Sequence, residues 1–289
     1  MEEDQKMTVV DSWDRVMVIV PHQDDEILMA AGIIRHLVNR QRSIHIVMAT
    51  NGDCGCRDFS VGRTRLQESV KGLGLLGVPI TGLHILGYAD TGMPAEDSFL
   101  THLYEEKDGQ KLYSSKCGDH TYGLLEKPEF HMEKQGRHAP YCRDSFRQDL
   151  KTILRDQKPS CIITTSPWDI HGDHSGLYQF VCEVLDELKK EDGYEPELYT
   201  GLIHSPAGDE NWPLRETKIF DCPEGLEEKA SLKWQERIRI PVPEEMLFAK
   251  GGQNLKLQAL LQYETALEPN AYDFLMSFVK EEEILWKMR

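Results

Sequence analysis

A chain of 289 residues with 40% hydrophobic side chains can bury a substantial core, as one large α/β domain or two small ones. Its 49 acids against 33 bases leave a net charge of -16, which argues against nucleic acid and anionic membranes, where a basic patch is needed, and points to a small neutral or weakly charged molecule. No stretch reaches the roughly 20 apolar residues of a membrane span, and the start lacks a signal peptide's basic and apolar regions, so a cytoplasmic protein is expected.

Val16-Met17-Val18-Ile19-Val20 is an apolar run that reads as a buried parallel strand, and it opens onto Pro21, His22, Gln23, Asp24, Asp25 and Glu26. Just past the carboxyl end of a strand is where open α/β sheets build their sites, and a histidine beside carboxylates there can hold a metal and a base. Residues 27–41 carry Ile27, Ala30, Ala31, Ile34, Leu37 and Val38 at a helical period. Residues 43–49 predict a second strand that ends at Thr50-Asn51-Gly52-Asp53. The following Cys54-Gly55-Cys56 is the only close pair among seven scattered cysteines; without a second pair it reads as an ordinary loop, and no disulfide framework is expected.

Residues 63–76 predict a helix stopped by Gly77 and Pro79, and residues 81–86 a third strand. Gly72, Gly74 and Gly77 spell the G-x-G-x-x-G of dinucleotide sites. They end a helix and precede a strand, the reverse of that motif's order, so helix termination is the better account. From Asp90 to Asp144 the pattern fails. Residues 104–141 are polar and too long for an ordinary connection, and an insertion of about 91–144 reads as a lid-like cover, with His120, Tyr122, His131 and His138 either at the pocket mouth or on the surface.

Periodicity returns with a helix over 145–156, a strand over 160–165, a helix over 175–190 and a strand over 197–203. The tail, 223–289, shows helical segments over 255–267 and 272–286 and no fresh sheet pattern. Repeated βα units imply one α/β, Rossmann-like domain spanning 1–289, with a mostly parallel twisted sheet and helices on both faces.

A second polar cluster follows the 160–165 strand: Asp169, Ile170, His171, Gly172, Asp173, His174, leading into a helix. A doubly wound sheet would bring it to the same edge as His22, Asp24 and Asp25. With Arg65-Leu66-Gln67-Glu68 on the second helix and Thr50-Asn51-Gly52-Asp53, these motifs make the chain resemble the PIG-L/LmbE-like zinc deacetylases, the N-acetylglucosaminyl deacetylases. The resemblance runs from about Val16 to the end and includes 256–263; it departs at Gln23, where the family usually has Pro.

By that resemblance His22, Asp25 and His174 bind zinc, two imidazoles and a carboxylate leaving a fourth position for water. Asp24 is then the base, His171 stabilises the oxyanion, and Asp173 orients His171 and keeps it charged. Arg65 and Asp90 match positions that contact the sugar, and Glu26 caps the first helix. The resemblance implies removal of an N-acetyl group from an N-acetylglucosamine-type sugar or glycoconjugate, or an amidase reaction on a related conjugate. A ligand set of this kind also suits Fe2+, as in an oxygenase, but the strand-helix alternation and the free carboxylate favour a hydrolase. A non-catalytic, metal-stabilised binding module would need no acid beyond the ligands, so Asp24 is the discriminating residue. Oligomeric state is not legible in the sequence.

Overall fold

Side chains along the first strand part alternately to two cores. In β1 (Arg15–Val20), Val16, Val18 and Val20 join one buried cluster, and Met17 and Ile19 the other. A strand buried on both faces needs a helix layer on each. The structure, a computed structural model, describes residues 9–267 and 271–289. After β1 come α1 (Asp25–Asn39), β2 (Ser43–Thr50), α2 (Ser60–Leu76), β3 (Leu83–Tyr88), α3 (Phe99–Glu105), α4 (Phe130–Gln135), α5 (Arg143–Gln157), β4 (Cys161–Thr165), α6 (Gly172–Asp192) and β5 (Glu197–Gly201). The tail adds α7 (Leu226–Lys229), β6 (Ile238–Pro241), α8 (Leu255–Leu260), α9 (Tyr272–Ser277) and β7 (Glu282–Lys287).

The seven strands form one sheet in the order β3-β2-β1-β4-β5-β7-β6. β1 to β5 are parallel, β7 runs antiparallel to β5, and β6 antiparallel to β7. α1, α2 and the tail helices pack on one face; α3, α4, α5 and α6 pack on the other. This is the expected mostly parallel, Rossmann-like architecture. The chain leaves β1 toward β2 on one side and returns to β4 on the other, so the loops after β1 and β4 diverge over a crevice at the carboxyl edge.

The tail differs from expectation. Residues 272–286 are not one helix: α9 ends at Ser277 and β7 follows, and β6 is a second strand where the sequence shows no sheet pattern. Acidic residues hide the strand. The carboxylate of Glu283 is buried in β7, where it accepts Gly32 N at 2.7 Å, Ile33 N at 2.9 Å and Lys256 Nζ at 3.2 Å. The 255–267 helix likewise shortens to Leu255–Leu260.

The insertion is less a lid than part of the second layer. Its apolar residues Phe99, Leu100, Leu103, Phe130 and Tyr141 lie in the core against the sheet, and burial of these side chains outweighs the polar run between them. Of the glycines that mimic a dinucleotide motif, Gly77 ends α2 in the left-handed conformation, φ 91°. Gly72 instead makes room for an aromatic ring, since a Cβ there would lie 2.5 Å from Tyr263. Among the described residues no helix is long and apolar enough to cross a membrane.

Candidate active site

The carboxyl ends of β1 and β4 bring three donor atoms together. His22 Nδ1 and His174 Nε2 each lie 3.4 Å from Asp25 Oδ2, and 3.3 Å from one another. Zinc bonds of about 2.0–2.1 Å at tetrahedral angles require ligand atoms roughly 3.3–3.4 Å apart, so this trio fits a four-coordinate metal. The opposite ring nitrogens are held by carboxylates. His174 Nδ1 lies 3.0 Å from Asp169 Oδ2 and His22 Nε2 lies 3.2 Å from Asp173 Oδ2. A carboxylate can only accept, so each imidazole carries its hydrogen there and turns a lone pair toward the trio. Burial alone would raise the Asp25 carboxyl, but His174 and His22 outweigh it and hold it well below the usual carboxylate range.

A cleft of about 290 Å³ opens beside the trio, lined by His22, Asp24, Asp25, Arg65, Asp90 and His171 among others. Asp24 has φ 103° and ψ -34°, a conformation that costs on the order of 1–3 kcal/mol for a non-glycine residue. It turns one carboxylate to the cleft while its neighbour Asp25 faces the histidines. Burial, reinforced by Asp25, pushes the Asp24 carboxyl up to about 7 against the pull of Arg65. Arg65 lies 3.8 Å from Asp24 Oδ2 and donates to Gly52 O at 3.1 Å and Gln23 O at 3.0 Å. Asp90 lies 3.8 Å from His22 Nε2; its N–H donates to Asp53 Oδ1 at 3.0 Å, and Tyr122 Oη donates to Asp53 Oδ2 at 2.8 Å. Gln23, at the position where this chain departs from the Pro of the resemblance, donates to Thr50 O at 2.7 Å and so ties the loop to β2.

The expected pairing of Asp173 with His171 is corrected. The Asp173 carboxylate accepts from Ser98 Oγ at 2.5 Å and Leu100 N at 2.7 Å, besides His22. Only its backbone touches His171: Asp173 N donates to Nδ1 at 3.2 Å. An N–H can only donate, so the neutral His171 ring carries its hydrogen on Nε2. Burial, with His22, His174 and His204 nearby, drives its pKa far down, against the charged ring that the resemblance implies. Glu26 does accept Asp24 N at 3.1 Å, as a cap would, and it also accepts Tyr263 Oη at 2.5 Å.

Two residues of the site escaped the sequence reading. Asp169 serves four donors: His174 Nδ1, and the backbone N–H groups of His171, Ile203 and His204 at 3.0, 3.1 and 3.0 Å. Its signal was present, an acid two residues before His171 in the second cluster. His204 follows β5, the next strand along the same edge; it lines the cleft, stacks on Phe274 at 5.1 Å and lies 2.6 Å from Asp209 through Nδ1. Burial would lower its pKa, yet Asp209 and Asp169 raise it. His120, Tyr122, His131 and His138 do not line the cleft, to which the insertion contributes Met93. They pair instead with Asp119, Asp53, Asp149 and Glu129, each at 2.8 Å. Cys54 and Cys56 are free thiols, and among the described residues no group placed to hold a metal includes a cysteine.

This pairing of motifs at one sheet edge has a counterpart in known sequences: residues 17–185 match the PIG-L family model, GlcNAc-PI de-N-acetylase. The chain belongs to the PIG-L family. No protein of curated function matches it by sequence. Solved structures share the fold of this PIG-L protein over nearly its whole length. The A40926 pseudoaglycone deacetylase Dbv21 is 15% identical, with a TM-score of 0.56 over 95% of this chain and 96% of that one. N,N'-diacetylchitobiose deacetylase from Pyrococcus horikoshii is 16% identical, with a TM-score of 0.51 over 96% and 85%. GalB, the 4-carboxy-2-hydroxymuconate hydratase from Pseudomonas putida, is 12% identical, with a TM-score of 0.51 over 95% and 96%. Deacetylases and a hydratase share this fold, so the fold alone does not fix the chemistry.

Proposed function

We propose that this PIG-L protein is a zinc-dependent hydrolase that removes the N-acetyl group from an N-acetylglucosamine-type sugar or glycoconjugate. The observation that carries the proposal is the donor trio of His22, Asp25 and His174 with the separate carboxylate of Asp24 beside it in one cleft. A divalent ion held by the trio would supply Lewis acidity, polarising the amide carbonyl and making water a stronger acid. Asp24 takes a proton from the attacking water and delivers it to the departing amine. His171 donates through Nε2–H to the oxygen on which charge develops, a neutral donor needing no proton transfer of its own. Arg65 and Asp90 stand at the cleft wall where sugar hydroxyls can donate to the carboxylate and accept from the guanidinium.

The test is acetate release from a panel of N-acetylglucosamine derivatives by zinc-loaded protein, with Asp24→Asn as control. Asp24→Asn should keep its zinc and lose about 10²–10⁴-fold in kcat. No acetate from any member of the panel refutes the deacetylase reading. A variant that releases acetate as fast as wild type removes Asp24 from the mechanism as its base.

A further inference from the structure

We propose that Tyr263 is a positioning residue for Asp24, acting through Glu26, so that the C-terminal tail sets the direction in which the base faces the cleft. The inference rests on the reading of Asp24 as the base. Asp24 and Asp25 are consecutive and both line the cleft, yet the Asp25 carboxylate meets His22 and His174 and that of Asp24 faces Arg65. The backbone of Asp24 has φ 103° and ψ -34°, and an aspartate does not hold such a positive φ without outside constraint. The constraint on its N–H is Glu26 Oε2, at 3.1 Å. The other oxygen of that carboxylate accepts Tyr263 Oη at 2.5 Å, and Glu26 and Tyr263 are 0% and 1% exposed. With one oxygen on each partner, the buried carboxylate is a rigid bridge from the tail to the base.

Tyr263 is itself fastened. Its ring occupies the space left by the missing side chain of Gly72, where a Cβ would lie 2.5 Å away. Two residues on, Thr265 donates to Glu68 through N at 3.0 Å and through Oγ1 at 2.5 Å. The next residue, Ala266, lines the cleft. One short segment of the tail thus grips α1 and α2, forms part of the cleft wall and reaches the base. A cap serving only the helix would not require Tyr263 or the slot at Gly72.

The test uses the full-length, zinc-loaded protein and the best substrate of the acetate-release panel. Tyr263→Phe deletes one hydroxyl and keeps the ring. It should lower kcat about tenfold, with KM within about twofold and zinc content unchanged, because misdirecting a base costs chemistry and not binding. Gly72→Ala, which pushes the ring from its slot, should show the same split. In a Glu26→Ala background Tyr263→Phe should add nothing, since a residue acting through Glu26 is silent without it. Glu26→Gln, which retains an acceptor for Asp24 N and an amide for Tyr263, should recover most of the kcat lost in Glu26→Ala.

Unchanged kcat in Tyr263→Phe, loss of zinc with kcat, or additive losses in the double variant each overturn the proposal. If Glu26→Ala does not fold, Tyr263→Phe and Gly72→Ala decide the matter. A wild type that releases no acetate defeats the deacetylase reading. The backbone part is then read by crystallography: Asp24 should leave its positive φ in Tyr263→Phe, and an unchanged φ overturns the inference.

Discussion

Asp169→Ala removes the carboxylate on which the second loop of the site is built. Asp169 accepts one imidazole N–H and three backbone N–H groups, and all four donors lose their partner, three of them in a buried place. Four bonds at about 1 kcal/mol net apiece set a destabilisation on the order of 4 kcal/mol. A chain of this length loses about 0.6 kcal/mol per degree near its midpoint, so Tm should fall by roughly 6–7 °C. The effect on the metal is separate. Without Asp169 the His174 ring is free to rotate and to take the other tautomer, and zinc affinity should fall about 10–100-fold, or about 1.4–2.7 kcal/mol. Thermal unfolding of the chelated apoprotein reads the first quantity, and zinc titration against a competing chelator reads the second. Zinc affinity within twofold of wild type in a folded variant would refute the account of Asp169 as the residue that orients His174.

Asp173→Ala should weaken zinc by about 10–100-fold, because its carboxylate holds His22; a variant with full zinc affinity and a fall in kcat alone would return Asp173 to His171. Stripping the protein with a chelator should abolish acetate release, and added zinc should restore it in wild type and not in His22→Ala. Activity that survives complete removal of metal sinks the metal-dependent reading. Glu283→Ala leaves two N–H groups of α1 buried without their acceptor and the buried Lys256 ammonium with Leu28 O alone, and should cost about 3–5 kcal/mol in urea unfolding while zinc affinity is retained. A loss under about 1 kcal/mol would show that water or another acceptor replaces Glu283.

Much of the fold was legible because burial has a local period. The alternation through Val16 to Val20 and the spacing through 27–41 each report a side chain's depth from its immediate neighbours in sequence. The same logic failed in the tail, where Glu282 and Glu283 occupy strand positions whose burial depends on partners elsewhere, Lys256 and α1 for Glu283. It also misjudged the insertion, whose buried aromatic residues are too widely spaced to show a period.

What the sequence determined by itself is the inventory of the site. His22, Asp24 and Asp25 after one strand, and His171, Asp173 and His174 after another, were bound to meet once strand order brought their loops to a common edge. Which atom meets which was decided by tertiary structure alone. Asp173 reaches past its neighbour His171 to His22, 151 residues away; Asp169 takes His174, and Tyr263 reaches Glu26 across 237 residues. Hydrogen bonds form over about 3 Å and depend on direction, so they follow the register of strands and the packing of helices, which no local pattern of residues encodes.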